Sequence, residues 1–260
     1  MVIANRPLGL TGIRLSPIGL GTVKIGRNTD LKYPFEFELP SDDKVVELLK
    51  TASALGINCL DTAPAYGESE ERLGQLLPEI KHDFRIITKV GETYSKKNGS
   101  HYDFSENAIM KSLERSISHL NRSHLDVVLL HSDGDDIAHL NTGALDTLIR
   151  AREAGLISAV GLSGKTLEGG MLALELGADC LMITLNSTEQ NEAPLIKAAE
   201  GHNAGLLIKK PFGSGHLIHS ISEVLSALFQ HSSVASAIIG TTNPVHLQES
   251  CEALPSEIQA

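Results

Sequence analysis

Eight short apolar runs, each followed by a stretch of helical character, divide this chain at near-regular intervals. They occupy 18–21, 57–60, 85–90, 125–130, 158–162, 180–185, 205–208 and 236–239. Each is nearly continuous in Val, Ile and Leu, without polar alternation, which is how strands buried on both faces of a parallel sheet read. The stretches between them predict helices over 45–54, 69–77, 105–120, 142–154, 167–176, 193–200, 222–230 and 244–253. Ser41 and Ser105 are placed to cap helix starts, and Gly56, Pro78, Gly155 and Gly177 to stop helices. Eight strand–helix units with short connections in 260 residues predict an α/β fold, a closed (β/α)8 TIM barrel. An open doubly wound sheet is the competing arrangement. Ahead of the first run, 7–17 predicts a short N-terminal β-hairpin turning at Thr11-Gly12. With no linker, low-complexity stretch or repeat, 1–260 reads as a single domain.

Charge and cysteine usage exclude several functions. The chain is 42% hydrophobic and carries a formal net charge of −10, enough apolar material for a large core and the wrong sign for nucleic acid or an anionic membrane surface. Cys59, Cys180 and Cys251 show no paired spacing, so neither a disulfide framework nor a zinc site is implied. Cys59 and Cys180 lie in apolar runs and read as buried thiols. The first twenty residues are broken by Gly9, Thr11, Gly12, Arg14 and Ser16, unlike a signal peptide. No apolar run approaches the roughly 20 residues of a membrane span. A cytoplasmic protein is the expectation. His131-Ser-Asp-Gly-Asp-Asp136 does not define a metal geometry, and no metal is expected. Gly164-Lys-Thr166 resembles the end of a nucleotide-binding P-loop, but the glycine required five residues earlier is Ala159.

In a barrel of this kind, chemistry sits where strands run out into loops. The second run ends in Asp61, the third in Thr88-Lys89 and the fourth in His131. Three successive strands thus carry a carboxylate, an ammonium and an imidazole to one rim, and Tyr66 follows Asp61 in the loop above. A phenol, with a pKa of about 10, is a poor acid or base near neutrality unless a cation favours its anion. Lys89 supplies that cation, Asp61 anchors it, and His131 can orient a carbonyl oxygen or share in proton transfer. Such a set suits protonation of a carbonyl oxygen as hydride arrives at carbon, or the reverse. Above the last two strands, Lys209-Lys-Pro-Phe-Gly-Ser-Gly215 and Gly240-Thr-Thr-Asn-Pro244 offer lysines and small residues before a helix, a suitable seat for a pyrophosphate.

Asp61-Thr-Ala-Pro-Ala-Tyr-Gly67, Thr88-Lys89, Leu130-His131, Val160-Gly-Leu-Ser163 and Ile238-Ile-Gly-Thr-Thr-Asn-Pro244 together resemble the aldo-keto reductase superfamily, in order and spacing, over roughly 6–253. The resemblance implies a tetrad of Tyr66 as proton donor, Lys89, Asp61 and His131. It also implies NADP(H), with NAD(H) as the alternative, bound extended and without a Gly-rich fingerprint. Candidate cofactor contacts are Gly21, Thr22, Ser163, Asn186, Lys210, Pro211, Phe212, Gly213, Gly215, Gly240, Thr241, Thr242, Asn243 and Glu249. Several family positions differ here. Gly164 stands where Asn is frequent, Met182 where Gln is frequent, and Lys209 near the aromatic residue that stacks on the nicotinamide. Basic residues for a 2′-phosphate align near Gly240 and His246, leaving His246 or Gln248 as weak substitutes. The chain ends at Ala260, soon after the last helix, which implies an open substrate pocket. Its walls are expected from 26–40, carrying Tyr33, Phe35 and Phe37, and from 92–104, carrying Tyr94, His101, Tyr102 and Phe104.

The expected activity is NAD(P)(H)-dependent reduction of aldehydes or ketones, or oxidation of the corresponding alcohols or sugars, on a small-molecule carbonyl substrate. The expected state is a monomer or weak homo-oligomer. Two alternatives stay open: a nicotinamide-binding regulatory or interaction protein with little turnover, and an NAD-dependent aldose dehydrogenase.

Overall fold

The computed structural model describes residues 3–31, 37–215 and 220–259. Eight parallel strands close into a barrel: β1 Ile18–Gly21, β2 Cys59–Asp61, β3 Arg85–Val90, β4 Leu125–His131, β5 Ile157–Ser163, β6 Cys180–Thr184, β7 Gly205–Lys209 and β8 Val234–Gly240. The seam closes where β8 pairs with β1, from Ala237 opposite Ile18 to Gly240 opposite Gly21. The helices that return the chain are α1 Asp42–Ala54, α2 Ser69–Leu76, α3 Glu106–His119, α4 Ala144–Glu153, α5 Leu167–Glu175, α6 Leu195–His202, α7 Ile221–Phe229 and α8 Pro244–Glu252. The (β/α)8 barrel expected from the sequence is thus the architecture found.

The absence of alternation in the strands has a direct cause. Cys59, Ile87, Val127, Leu129, Ala159, Cys180, Met182 and Leu207 fill the barrel interior. Leu60, Ile86, Val128, Leu130, Val160, Leu181 and Ile208, one residue out of phase, pack outward among the helices. Both faces are buried, so both demand apolar side chains. The same period of two fixes the upper rim: continuing the inward register turns Asp61, Lys89, His131, Ser163 and Lys209 toward the barrel axis. Gly161 is small because its neighbour is close. A methyl group there would overlap the Cys180 carbonyl oxygen on β6. Gly161→Ala is therefore expected to destabilise the fold by roughly 2–3 kcal/mol, readable in the midpoint of urea denaturation.

The N-terminal hairpin pairs Arg6–Pro7 with Arg14–Leu15. It plugs the lower end: Leu8 and Leu15 join the barrel interior, and the Arg6 guanidinium donates to the Val234 and His231 carbonyls below β8. Three elements go beyond the sequence expectation. Val23–Gly26 and Asp136–Asn141 form extra short helices, and 92–104 contains a second antiparallel hairpin, Glu92–Ser95 with Gly99–Tyr102. That hairpin is polar on both faces, so apolar periodicity gives no sign of it. Docking holds it instead. The Tyr94 hydroxyl lies 2.6 Å from Thr29 Oγ1 and donates to Asp30 Oδ2 at 2.8 Å, while the Arg27 guanidinium sits 3.4 Å from the Tyr94 ring centroid.

Candidate active site

The rim at the strand ends carries a compact buried cluster. Lys89 is 1% exposed and Asp61 4%, a burial that two charges tolerate only in each other's company. The Lys89 ammonium donates to Asp61 Oδ1 at 2.6 Å, to the Thr62 carbonyl at 2.9 Å and to the Tyr66 hydroxyl oxygen at 3.1 Å. Its three N–H groups therefore have three acceptors, which leaves the ammonium a single orientation. Behind it the Thr22 hydroxyl donates to the Asp61 carbonyl at 2.8 Å, and Ser69 Oγ donates back to Thr22 Oγ1 at 2.8 Å.

Tyr66 reaches the ammonium because the chain turns sharply after β2. Pro64–Tyr66 forms one 3-10 turn, and Gly67 follows with φ of 63°. Gly67 presses so closely on the Gly26 carbonyl that a side chain would collide with it. Only glycine combines that backbone angle with that approach. The His131 ring stands edge-on to Tyr66, with centroids 6.1 Å apart and planes at 84°. The four residues expected to act together are thus brought together. A full positive charge beside the phenol oxygen stabilises negative charge developing there.

Two residues join this cluster that the sequence reading did not assign to it. Glu92, on the first strand of the second hairpin, places Oε2 2.8 Å from His131 Nδ1, an ion-pair distance without hydrogen-bond geometry, so Nδ1 has no hydrogen-bond partner. Burial alone would raise the Glu92 carboxyl, but contacts with His131, Ser100 and Tyr102 outweigh it and hold the group at about 2. Burial pushes His131 below the ordinary histidine range, only partly offset by Glu92. The second residue is Lys209, whose ammonium donates to the Gly164 carbonyl at 2.6 Å and to Ser163 Oγ at 3.3 Å. Burial lowers it first; the like charges of Lys210, Lys89 and Lys165 add to that, and Glu192 opposes it, leaving Lys209 at about 8. The sequence reading placed Lys209 in a pyrophosphate seat; its partners at the end of β5, Ser163 and Gly164, belong to a distant strand and could not be anticipated.

The candidate cofactor positions separate into three groups. Gly21 and Gly240 face each other across the barrel seam, beside Thr241, Thr242 and Asn243 at the start of α8, where the Asn243 side chain accepts from the Val245 amide. Lys210, Pro211, Phe212, Gly213 and Gly215 form the loop above β7, with Lys210 and Gly215 exposed, and Ser163 sits at the end of β5 beside His131. Thr22 and Asn186 are braces. Both are buried, and Asn186 donates to the Lys210 carbonyl at 3.1 Å while its own side-chain oxygen accepts from Thr188 and Glu189. Glu249 is exposed on α8.

Charge decides whether these residues suit a dinucleotide. In a chain of net charge −10, Lys165, Lys209 and Lys210 gather on this rim closely enough to depress Lys209. A bound anion relieves that repulsion, and the N-terminus of α8 opens on the same rim. The donor set therefore fits the pyrophosphate of NAD(P)(H).

Of the expected pocket walls, Tyr33 and Phe35 lie outside the described residues. Phe37 faces the Lys24 ammonium, 5.4 Å from its ring centroid. Phe104 is a packing residue: it is 7% exposed, belongs to the core and stacks on His139 at 3.9 Å. Among the described residues, no helix is long and apolar enough to cross a membrane.

A closed parallel barrel with a Tyr–Lys–Asp–His cluster on its C-terminal rim defines a class of proteins, and direct comparison agrees. The model of the aldo/keto reductase family matches residues 17–227, and the chain belongs to that family. A solved Pseudomonas aeruginosa structure assigned to the aldo-keto reductases superimposes with a TM-score of 0.86 at 42% identity, covering 96% of this chain and 95% of that one. L-galactose dehydrogenase from Arabidopsis thaliana is 28% identical over 172 residues, 64% of this chain and 50% of its own length. D-threo-aldose 1-dehydrogenase from a Pseudomonas species is 28% identical over 236 residues, 80% of this chain and 69% of its own. This chain thus spans about half the length of the first curated relatives it matches.

Proposed function

We propose that this protein is an NAD(P)(H)-dependent oxidoreductase interconverting carbonyl compounds and alcohols, with Tyr66 as its general acid and base. The observation that carries this reading is one ammonium, Lys89, buried between Asp61 Oδ1 at 2.6 Å and the Tyr66 hydroxyl at 3.1 Å. A structural ion pair needs no phenol, and a structural tyrosine needs no buried cation.

Gly21, Gly240 and Thr241–Asn243 hold the adenosine end, Lys210–Gly215 the pyrophosphate, and Ser163 with Lys209 the nicotinamide end. The bound cofactor supplies or accepts the hydride at the reacting carbon. Tyr66 donates its proton to the carbonyl oxygen as negative charge builds there, and Lys89 stabilises the resulting phenolate. In the oxidative direction the phenolate accepts the alcohol proton. Asp61 keeps the ammonium aimed, and His131 orients the substrate. The test is to mix the purified protein with NADH or NADPH and a panel of aldehydes, ketones and aldoses while following cofactor absorbance. Cofactor binding with no oxidation by any of them refutes the reading in favour of a binding protein.

Within this reading the adenosine end favours NAD(H). Gly240 offers no side chain, His246 Nδ1 lies 3.2 Å from Thr241 Oγ1, and the Gln248 amide donates to Glu252 at 2.7 Å. No free Arg or Lys among these positions is ready for a 2′-phosphate. NADH is expected to bind at least as tightly as NADPH in fluorescence titration; a strong NADPH preference refutes this.

Lys209 gives the binding a pH dependence. It is cationic below about 8 and neutral above, so affinity for the anionic cofactor falls several-fold as pH rises through that value. Lys209→Met flattens the profile, measured by the same titration across pH 6.5–9.5, a range spanning about 1.5 units either side of the transition.

A further inference from the structure

The geometry points to Lys209 as the residue that sets the favoured direction of hydride transfer. Its ammonium reaches across the barrel mouth to the reacting centre, holds the reduced nicotinamide more tightly than the oxidised one, and so biases the bound pair toward taking hydride from an alcohol. This rests on the oxidoreductase reading above.

Lys209 ends β7, yet its ammonium donates to the Gly164 carbonyl at 2.6 Å and to Ser163 Oγ at 3.3 Å, at the end of β5. It reaches past β6, the strand between them, whose Thr184 is its register partner. The side chain therefore leans away from the β8–β1 seam and the N-terminus of α8, and toward Ser163, the register partner of His131. His131 in turn stands edge-on to Tyr66, 6.1 Å between ring centroids. Lys209, Ser163, His131 and Tyr66 thus form one arc round the rim. A ring that exchanges hydride with the carbon whose oxygen Tyr66 protonates has to approach that carbon closely, which puts it inside the arc.

Charge then separates the two redox states. Of the two ammoniums on this rim, Lys89 is compensated by Asp61 at 2.6 Å. Among the described residues, Lys209 has no carboxylate in ion-pair reach. Its hydrogen-bond acceptors are neutral oxygens. Glu192, after β6, acts on it from further off, and Lys210, Lys89 and Lys165 oppose Glu192; His131, from β4, faces it as well. The oxidised and reduced cofactors carry the same pyrophosphate and differ by one positive charge on the ring. Attraction of the phosphates to Lys209 is common to both, whereas repulsion acts on the oxidised ring alone. By linkage, the factor by which the reduced form is held more tightly is the factor by which the bound oxidised form becomes the stronger hydride acceptor. In that direction the Tyr66 phenolate takes the hydroxyl proton of the alcohol and the hydride leaves the same carbon for the nicotinamide. The alcohol is oxidised to the carbonyl, the cofactor is reduced, and Tyr66 passes its proton to water.

The test is a binding measurement on the whole protein. NADH is titrated by its fluorescence, NAD+ by displacing NADH, in the wild type and in Lys209→Met. If the 2′-phosphorylated pair binds more tightly, the same ratio is read with NADPH and NADP+. The expected ratio of the oxidised to the reduced Kd at pH 7 is larger in the wild type than in Lys209→Met by on the order of 10–100-fold. It should fall as pH rises through about 8, where the ammonium loses its proton, and stay flat in the variant. Equal ratios in the two proteins overturn the inference, even where both affinities weaken together, because Lys209 then acts on the phosphates and not on the ring. If Lys209→Met does not fold, the wild-type ratio decides: a fall with rising pH supports the inference and a ratio independent of pH overturns it. Failure of all four nucleotides to bind refutes the oxidoreductase reading and this inference together, whereas binding with an unchanged ratio refutes this inference alone.

Discussion

Tyr66→Phe is expected to lower kcat by roughly 10²–10⁴-fold while leaving cofactor affinity and thermal stability near wild type. The hydroxyl is the atom the chemistry needs: it lies 3.1 Å from the Lys89 ammonium. The ring itself stays packed in the variant, since the 3-10 turn and Gly67 set the backbone from below. The loss should fall in kcat rather than KM, because the proton transfer is made only in the transition state. Stopped-flow measurement of hydride transfer under saturating cofactor separates this step from product release. A variant that keeps full single-turnover speed removes Tyr66 from the proton-transfer role.

Lys89→Met should damage both activity and stability. The substitution leaves the Asp61 carboxylate 4% exposed without its partner at 2.6 Å. Breaking a buried pair on one side costs about 3–5 kcal/mol, readable as a lower denaturation midpoint. Turnover falls as well, because no cation remains to stabilise the phenolate. The two losses can be separated. Adding Asp61→Asn to Lys89→Met removes the orphaned charge and should recover a large part of the stability while recovering none of the turnover. If the double variant is as unstable as the single one, the buried charge is not the source of the instability; if it regains turnover, the ammonium is not part of the chemistry.

Much of this site was legible before the fold. The apolar runs marked each strand to within two residues, and the residues at or just beyond their ends, Asp61, Lys89 and His131, are what the pleat delivers to the interior rim. Other features were not legible. The second hairpin has no apolar stripe, so its strands could not be told from loop, and with them went Glu92. The aromatics of that segment looked alike in sequence, yet Phe104 packs beside Gly91 in the core, Tyr94 clamps the hairpin and Tyr102 feeds Glu92. Lys209 read with Lys210 as part of a pyrophosphate seat above the last two strands. Its inward direction follows from the pleat of β7, but its burial and its bonds to Ser163 and Gly164 follow from β5.

From sequence alone came the barrel, its strand ends and the Asp61, Tyr66, Lys89 and His131 set. The barrel and its strand ends depend on unbroken apolar runs alternating with helical stretches, and the four residues on their places at or just after those runs and on a motif resembling the aldo-keto reductases; such local signals survive in a linear text. Tertiary structure alone decided the pairing of Glu92 with His131, the seating of Lys209 against Ser163, and the bracing of Asp61 by Thr22. Each joins groups from different strand–helix units, where no local period relates one residue to the other. Their distances and burial exist only once the barrel has closed and its low-dielectric interior has made every unpaired charge costly.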